Sequence, residues 1–440
     1  MIMINDIWVK FLSWFNKDAK SETSDRQRMH NNEYASKYQD IRSINFNAIF
    51  SNKIATMTVA ESDFIISEDN KRAELLNNAG QAVWKKIKKI AALSLGTGGV
   101  LIVPYIQNGN ILFNIVTQDR LSIDRKNGEL ITSATILAEK ITQNNVCYYR
   151  FTNYNINNGN LIITNKTVDE YGNYAVVEKW RDLKDFAISN VDRVPFGYIK
   201  SPIDNRRSSD NYGVPVTYGC DSIIKEIYEC LGQIRDEFLL KEVRLQVDER
   251  MFDKDEKGRI KPLSKLFFKG KSNNGDLFNI FNPAIRESSY YNRLSSLFEL
   301  LEKEVGTSKG ILTAPETRGA TATEIKAGLY DTYSIICDMR KNIETGINDY
   351  LYACDILANY YGLSPSGEYK AVFDWSFALI ESSSETWQQM KDAQAIGIRS
   401  KAELRAWQTG ETIEEAQKAV DEITAKEPTM QSLLGMNNDA

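Results

Sequence analysis

Gly270-Lys271-Ser272, within "FKGKSNNG", supplies the glycine, lysine and hydroxyl with which a nucleotide-binding phosphate loop ends. In such a loop, backbone N–H groups and the lysine cradle the phosphates while the hydroxyl holds Mg2+. The loop also needs an earlier glycine, and Lys265 stands at that position. "SLGTGGVLI" (residues 94–102) is a second glycine cluster. It lacks the G-x-G-x-x-G spacing and precedes a strand rather than a helix, so it reads as a turn. "DKDEKG" (253–258) has the composition of a calcium loop without its alternating acids or closing glutamate, and reads as a solvated turn. The one histidine, His30, has no ligand companions nearby, which argues against histidine-based zinc sites and Ser-His-Asp triads. The five cysteines (Cys147, Cys220, Cys230, Cys337, Cys354) are odd in number, widely spaced and contain no C-x-x-C pair. Reduced thiols in a cytosolic setting are expected. No catalytic residue, metal site or cofactor is expected from these patterns.

Bulk composition points the same way. The 440 residues are enough for more than one packed unit, and 42% hydrophobic content with 21 Tyr and 18 Phe excludes a disordered chain. A net charge of −5 excludes a DNA binder that works by bulk electrostatics. No run of 18 apolar residues exists, so no membrane span or membrane partner is expected. The start, "MIMINDIWVKFLSWFNK", lacks a basic region and a small-residue cleavage site; an amphipathic helix fits better than a signal peptide.

The elements that position any site can be read in order. The apolar residues Leu75, Leu76, Ala79, Val83, Ile87, Ile90 and Ala91 predict a helix from Asn70 to Leu95, broken by Gly96, Gly98 and Gly99. Short β segments follow to about Ile199: a hairpin turning on Asn108-Gly109, a second around "NINNG" (155–159), and a further strand in "GNYAVVEKW" (172–180). An antiparallel sheet paired with the preceding helices is expected. A linker, "SPIDNRRSSDNYG", leads to a helix whose first turn takes Pro215 and whose stripe is Ile223, Ile227, Leu231, Ile234 and Phe238. Residues 244–282 then read as strand, turn, strand and loop. After Asn282-Pro283 a second helix carries Tyr290, Leu294, Leu297, Leu301 and Val305. Two helices thus flank a small β-containing tip. From Lys241 to Lys271 the tip holds ten Lys/Arg against six Asp/Glu, a local excess of +4 in an acidic chain. It suits phosphates or an acidic partner, or is a solvated turn of mixed charge.

"GTSKGILTAPETRGA" (306–320) is rich in Gly, Thr and Ala and reads as a connector or as a loop that moves against something. Thr321 and Glu324 form a capping box for a helix running to about Tyr361. Its stripe includes Ile325, Leu329, Tyr333, Ile336, Ile343, Ile347, Tyr350, Cys354 and Leu357, with polar Arg340 inside it and a kink expected at Gly346. "YKAVFDWSFAL" alternates as a strand that returns to the N-terminal sheet, and short helices divided by Gly397 and Gly410 close the chain.

This order resembles the portal proteins of tailed bacteriophages, particularly those of phages of Gram-positive hosts. The residues that carry the resemblance are "VPFGYIKSPIDN" (194–205), "YGVPVTYGCDSIIKEIYE" (212–229), "TRGATATEIKAG" (317–328) and "AIGIRSKAELRAW" (395–407) with an acidic helix after it. It covers about 190–425 well and the first 190 residues in architecture only. The chain is on the short side for a portal, so a reduced wing or crown is expected.

The resemblance implies an α+β fold with an α/β wing (1–212, with strand 369–380), stem helices (213–243 and 283–305) and a clip (244–282). A tunnel loop (306–320), a long helix behind it (321–368), a helical crown (381–427) and a flexible tail (428–440) complete it. It implies a homododecameric ring at one capsid vertex of the virion, assembled in the host cytoplasm, through which double-stranded DNA is packaged and ejected. The implied partners are terminase large subunit, head–tail adaptor, major capsid protein and scaffold. Lys309, Gly310, Thr313, Thr317, Arg318 and Gly319 would face DNA in the tunnel. Lys254, Lys257, Arg259, Lys261, Lys269 and Lys271 would meet DNA or a partner at the clip. Such a protein hydrolyses nothing itself. The alternatives are a terminase-like ATPase or nuclease, which needs the phosphate loop or acidic metal cluster not found here, and another head–tail connector ring.

Overall fold

The structure, a computed structural model, describes residues 44–181, 183–205, 212–240, 244–248, 267–270, 278–281, 286–314, 330–375, 390–397, 399–409 and 412–426. The chain divides into two units, residues 1–374 and 375–440, and is of the α+β class.

Helix α1 (Phe46–Thr58) starts where the Asn45 side chain accepts from the Ala48 amide, and buries Phe46, Phe50 and Ile54 along one face. The helix expected from Asn70 to Leu95 is two helices, α2 (Lys71–Trp84) and α3 (Ile87–Thr97). The break has a packing cause. Leu76, Ala79 and Val83 of α2 are buried, and α2 meets β1 (Asp63–Ile66) and the long helix below; Ile90 and Ala91 of α3 are buried, and α3 meets α1 and the first sheet. One straight stripe cannot face both. Of the three glycines expected to break the helix, Gly98, in the left-handed region at φ +92, ends α3; Gly96 lies within the helix and Gly99 begins the next strand.

Strand β2 (Gly99–Gln107) turns into β3 (Asn110–Thr117) through Asn108 and Gly109, whose φ values of +52 and +76 define the hairpin turn that favours this dipeptide. A five-stranded antiparallel sheet follows: β4 (Leu121–Asn127), β5 (Leu130–Gln143), β6 (Val146–Asn157), β7 (Asn160–Asp169) and β8 (Phe186–Ser189), adjacent in that order. The β6–β7 turn is the pair Asn158-Gly159 alone, narrower than expected, because β6 keeps pairing as far as Asn157. "GNYAVVEKW" is not a strand. Tyr174 makes a single bridge to Val168, then a short 3-10 turn at Glu178–Trp180 buries both Val177 and Trp180, which alternation would put on opposite faces.

Strand β9 (Gly197–Lys200) adds to β2, giving the order β3-β2-β9. Helix α6 (Tyr330–Tyr361) lies across it. The helices between, α4 and α5, are described below. Ile336, Met339, Ile343, Ile347, Tyr350 and Cys354 of α6 are all buried. The helix assignment runs unbroken through Gly346, which is a contact point. A Cβ on Gly197 would run into the Gly346 carbonyl oxygen, and one on Gly346 into Ile199. Arg340 is buried because its Nε donates to the Thr58 carbonyl at the end of α1 (3.0 Å).

At the far end of α6, Arg72 of α2 is 1% exposed and makes five hydrogen bonds: to the carbonyls of Pro365, Asp355 and Ser364 and the side chains of Asp355 (2.8 Å) and Asn359 (2.7 Å). Burial pushes the Asp355 carboxyl above its ordinary range, and Arg72 opposes that rise. Beyond it, β13 (Ala371–Asp374) is a strand, as the alternation in "YKAVFDWSFAL" led us to expect, but it pairs antiparallel with β1 in a two-stranded sheet of their own and not with the sheets of residues 99–200, because Phe373 packs with Phe64 and Trp84; residues 376–380 lie outside the described residues.

The second unit contains α7 (Lys401–Thr409) and α8 (Ile413–Lys426), packed on each other. Both begin with reciprocal caps, Ser400 with Glu403 and Thr412 with Glu415.

Replacing Arg72 by Met should cost about 3 kcal/mol, because it strands a half-buried carboxylate and several carbonyls. Urea denaturation of the two proteins measures it. The deficit should narrow as pH falls from neutral, since an unpaired Asp355 holds its proton more readily folded than unfolded.

Candidate functional site: the stalk and the segment after it

Two helices leave the first unit's body as a pair. Helix α4 (Asp221–Leu240) starts later than Pro215, because residues 213–217 are tied to the body: the Gly213 amide donates to Gln118 (3.0 Å) and the Val216 amide to the Leu95 carbonyl (2.8 Å). Pro215 instead sits in a turn closed by the Tyr218 amide, and Gly219 at φ +86 precedes the helix. Helix α5 (Glu287–Val305) runs back beside α4. Their cross-links fix an antiparallel register: Glu226 with Arg293 (3.0 Å), and Glu237 with Arg286 (2.9 Å). Hydrogen bonds to these carboxylates push both guanidinium groups above their ordinary range. Near the body, the buried Tyr228 hydroxyl donates to the Ile44 carbonyl and accepts from its amide, while Phe46 of α1 packs on Tyr228 and Phe298.

The stripe of α5 is buried as expected at Leu294, Leu297, Leu301 and Val305. That of α4 is rotated. Of Ile223, Ile227, Leu231, Ile234 and Phe238 only Ile227 is buried; the inward face is Ile224, Ile227, Tyr228, Cys230 and Glu237. Phe238 and Leu239 are 40% and 50% exposed, so an apolar edge runs along the outside of α4.

Between the helices, β10 (Arg244–Asp248), β11 (Phe267–Gly270) and β12 (Phe278–Phe281) form a sheet of order β11-β10-β12, with β11 parallel and β12 antiparallel to β10. Two strands were expected here and three are found. Lys269 lies on β11 opposite Val247. Lys254, Lys257, Arg259, Lys261 and Lys271 lie outside the described residues, as do Asn282 and Pro283.

The segment after α5 is fastened. Gly306, at φ +79, ends α5 with its amide on the Lys303 carbonyl, and the Thr307 amide reaches Glu302 (2.9 Å), the paired closure of a glycine-capped helix. The Ser308 amide donates to the Thr332 hydroxyl on α6 (2.8 Å). Lys309 pairs with Glu299 (3.4 Å). The Glu302 carboxylate accepts from the amides of Ile311 (2.8 Å), Leu312 (2.6 Å) and Thr313 (3.3 Å) and from the Thr313 hydroxyl (2.6 Å). Of the candidates for this loop, Lys309, Gly310 and Thr313 are therefore brought together beside the end of α5. Thr317, Arg318, Gly319, Thr321 and Glu324 lie outside the described residues. Glu302 was missed in the sequence, although a carboxylate beside Leu301 on a buried stripe just before Gly306 was the available signal.

All five cysteines are unpaired. Burial, with Glu304 and Asp221 nearby, pushes the Cys220 thiol up to about 12, so it stays protonated and unreactive. Among the described residues no group of three His, Cys, Asp or Glu side chains is placed to hold a metal, and no helix is long and apolar enough to cross a membrane. A separate cleft of about 360 Å3 is bounded by Lys126, Ile131, Phe196, Lys200 and Asp349, but its Asp349 is paired with Arg193 (3.1 Å).

No family model matches this chain. No curated protein matches it either. Among solved structures it aligns with a chain of one described as "Neck of native GTA particle computed with C12 symmetry", over 88% of this chain and 93% of that one, at 10% identity and a TM-score of 0.35. A likeness of that size carries no argument about function.

Replacing Thr332 by Val leaves the buried Ser308 amide without its acceptor. A loss of about 1–3 kcal/mol is expected in urea denaturation.

Proposed function

We propose that this chain is a portal subunit: copies of it form a ring at one vertex of a tailed-phage capsid, and DNA enters and leaves through the ring. The observation that carries the reading is the order of parts in the first unit. An α+β body gives rise to an antiparallel helix pair with a small sheet between its helices; a fastened segment (306–314) follows, and later in the chain a 32-residue helix packs on the body. A helix pair bearing a small sheet is suited to docking. Self-association is supported by the outward edge of α4, where Phe238 and Leu239 are exposed beside half-buried Leu231 and Ile234. A neighbouring copy of the same stalk would cover that edge and repeat the contact around a ring.

In this reading the β10–β12 sheet is the clip that meets the terminase large subunit during packaging and the head–tail adaptor afterwards. The body meets capsid and scaffold proteins. The segment beginning at Gly306 approaches double-stranded DNA. The chain needs no cofactor and catalyses no reaction; hydrolysis belongs to the terminase. The protein would be part of the virion.

Light scattering and negative-stain images of the full chain test this. A particle of about twelve subunits with a central hole is expected. A 50.1 kDa monomer that hydrolyses ATP or cuts DNA would overturn it in favour of a processing enzyme. Ile234→Glu with Phe238→Glu should break the ring into smaller species while leaving the far-ultraviolet spectrum unchanged. Gly310→Val with Gly319→Val should leave ring assembly intact and impair packaging; the Gly310 φ of +118 is one that a β-branched residue adopts only under strain.

A further inference from the structure

We infer that Glu302 is the positioning residue of the segment that follows the stalk: its carboxylate, more than apolar packing, fixes where residues 311–313 lie. The consequence for DNA passage rests on the portal reading; the positioning itself is a property of the chain alone.

Apolar packing holds this segment only in part, since Ile311 and Leu312 are half-buried. Glu302 is 1% exposed, whereas none of the residues from Lys309 to Ala314 is buried, Ile311 and Leu312 included. What the buried residue offers them is one oxygen that collects three backbone amides and a second that takes the Thr313 hydroxyl. Amides converging on one anion make a concave site for negative charge, and a charged acceptor makes each bond stronger than a neutral one would. Gly310 makes the convergence possible. Its φ of +118 turns the chain back so that the following amides face the helix they have just left.

The position of Glu302 carries a cost of its own. It stands in the last turn of α5, where the negative end of the helix dipole disfavours a carboxylate. The amides of 311–313 offset that, so the carboxylate and the turn depend on each other. Thr307 bonds the Glu302 carbonyl and Ser308 bonds Thr332, so the same short segment joins the end of the stalk to α6. A displacement of the last turn of α5 is thereby passed to residues 311–313 through one side chain.

Hydrogen–deuterium exchange on the full chain tests the assignment, comparing the parent with Glu302→Gln, Glu302→Ala and Gly310→Ala. Glu302→Gln keeps the shape, removes the charge and puts an amide where one oxygen was. The amides of 311–313 should exchange roughly tenfold faster in it, and faster still in Glu302→Ala, while amides of α6 between Ile343 and Tyr350 keep their protection. Gly310→Ala should open the same amides, and adding it to Glu302→Ala should change them little further. Unchanged exchange at 311–313 in both Glu302 variants would overturn the inference, as would a uniform rise that includes α6. Packaging is measured separately: faster exchange at 311–313 with normal DNA packaging supports the positioning role and counts against the portal reading of this segment.

Discussion

The body is organised by one close crossing, where α6 rests on β9 with Gly346 over Gly197 and no side chain between them. Two glycines at one contact let a helix axis approach a strand closer than side chains otherwise permit. The approach brings Ile199 and Tyr350 into the same buried layer and sets the height of α6 above the β3-β2-β9 sheet. Everything that touches α6 takes its position from that height. Helices α1 and α2 pack against it, and the strand that follows it, β13, can reach β1 because the end of α6 is fixed.

Several buried polar groups lie at the joints of this arrangement. Arg72 holds the turn after α6, Arg340 holds the end of α1 against its middle, and the Ser308 amide meets Thr332 near its start. Each joins segments far apart in sequence. A buried charge adds little net stability when it is satisfied and costs a great deal when it is not. Its effect is therefore to reject other arrangements: a helix displaced by one turn would leave Arg72 with its donors unpaired. The stalk uses the same device at Glu237 and Glu302, one toward each end of the helix pair.

Most of this was legible where a local rule decides the outcome. Asn108-Gly109 and Asn158-Gly159 turn as such dipeptides do, and Leu294, Leu297, Leu301 and Val305 are buried as their spacing requires. The misread elements are those where distant partners decide. Residues 70–97 have one continuous period, yet they break into two helices because β1 and α1 lie on different sides. The stripe of α4 has the right period and the wrong phase: Tyr228 is drawn inward by the Ile44 backbone, and rotating the helix to seat it leaves Phe238 outside. At Gly346 the sequence suggested a bend, and what the structure adds is a close approach of another backbone, a role of glycine that sequence alone does not reveal. The candidate loop was located by composition, while the residue that holds it, Glu302, lies in the preceding helix and resembles any acid near a helix end.

That last point bears on how a segment can face DNA without gripping it. Lys309, the one cation between Gly306 and Ala314, lies against Glu299, so at a distance the pair presents a dipole rather than a net positive charge. Affinity for a phosphate backbone comes mainly from counterions released by uncompensated cations, and a compensated lysine contributes little of it. A segment built this way can be held in place by Glu302 and still offer a passing duplex no deep well. In the portal reading, placement and weak attraction are separate requirements met by separate residues: carboxylates on α5 set where the segment lies and cancel its charge, and the segment itself supplies small, neutral surface. The acidic balance of the whole chain is then consistent with a role beside DNA, because such a role depends on holding the duplex loosely at a fixed place.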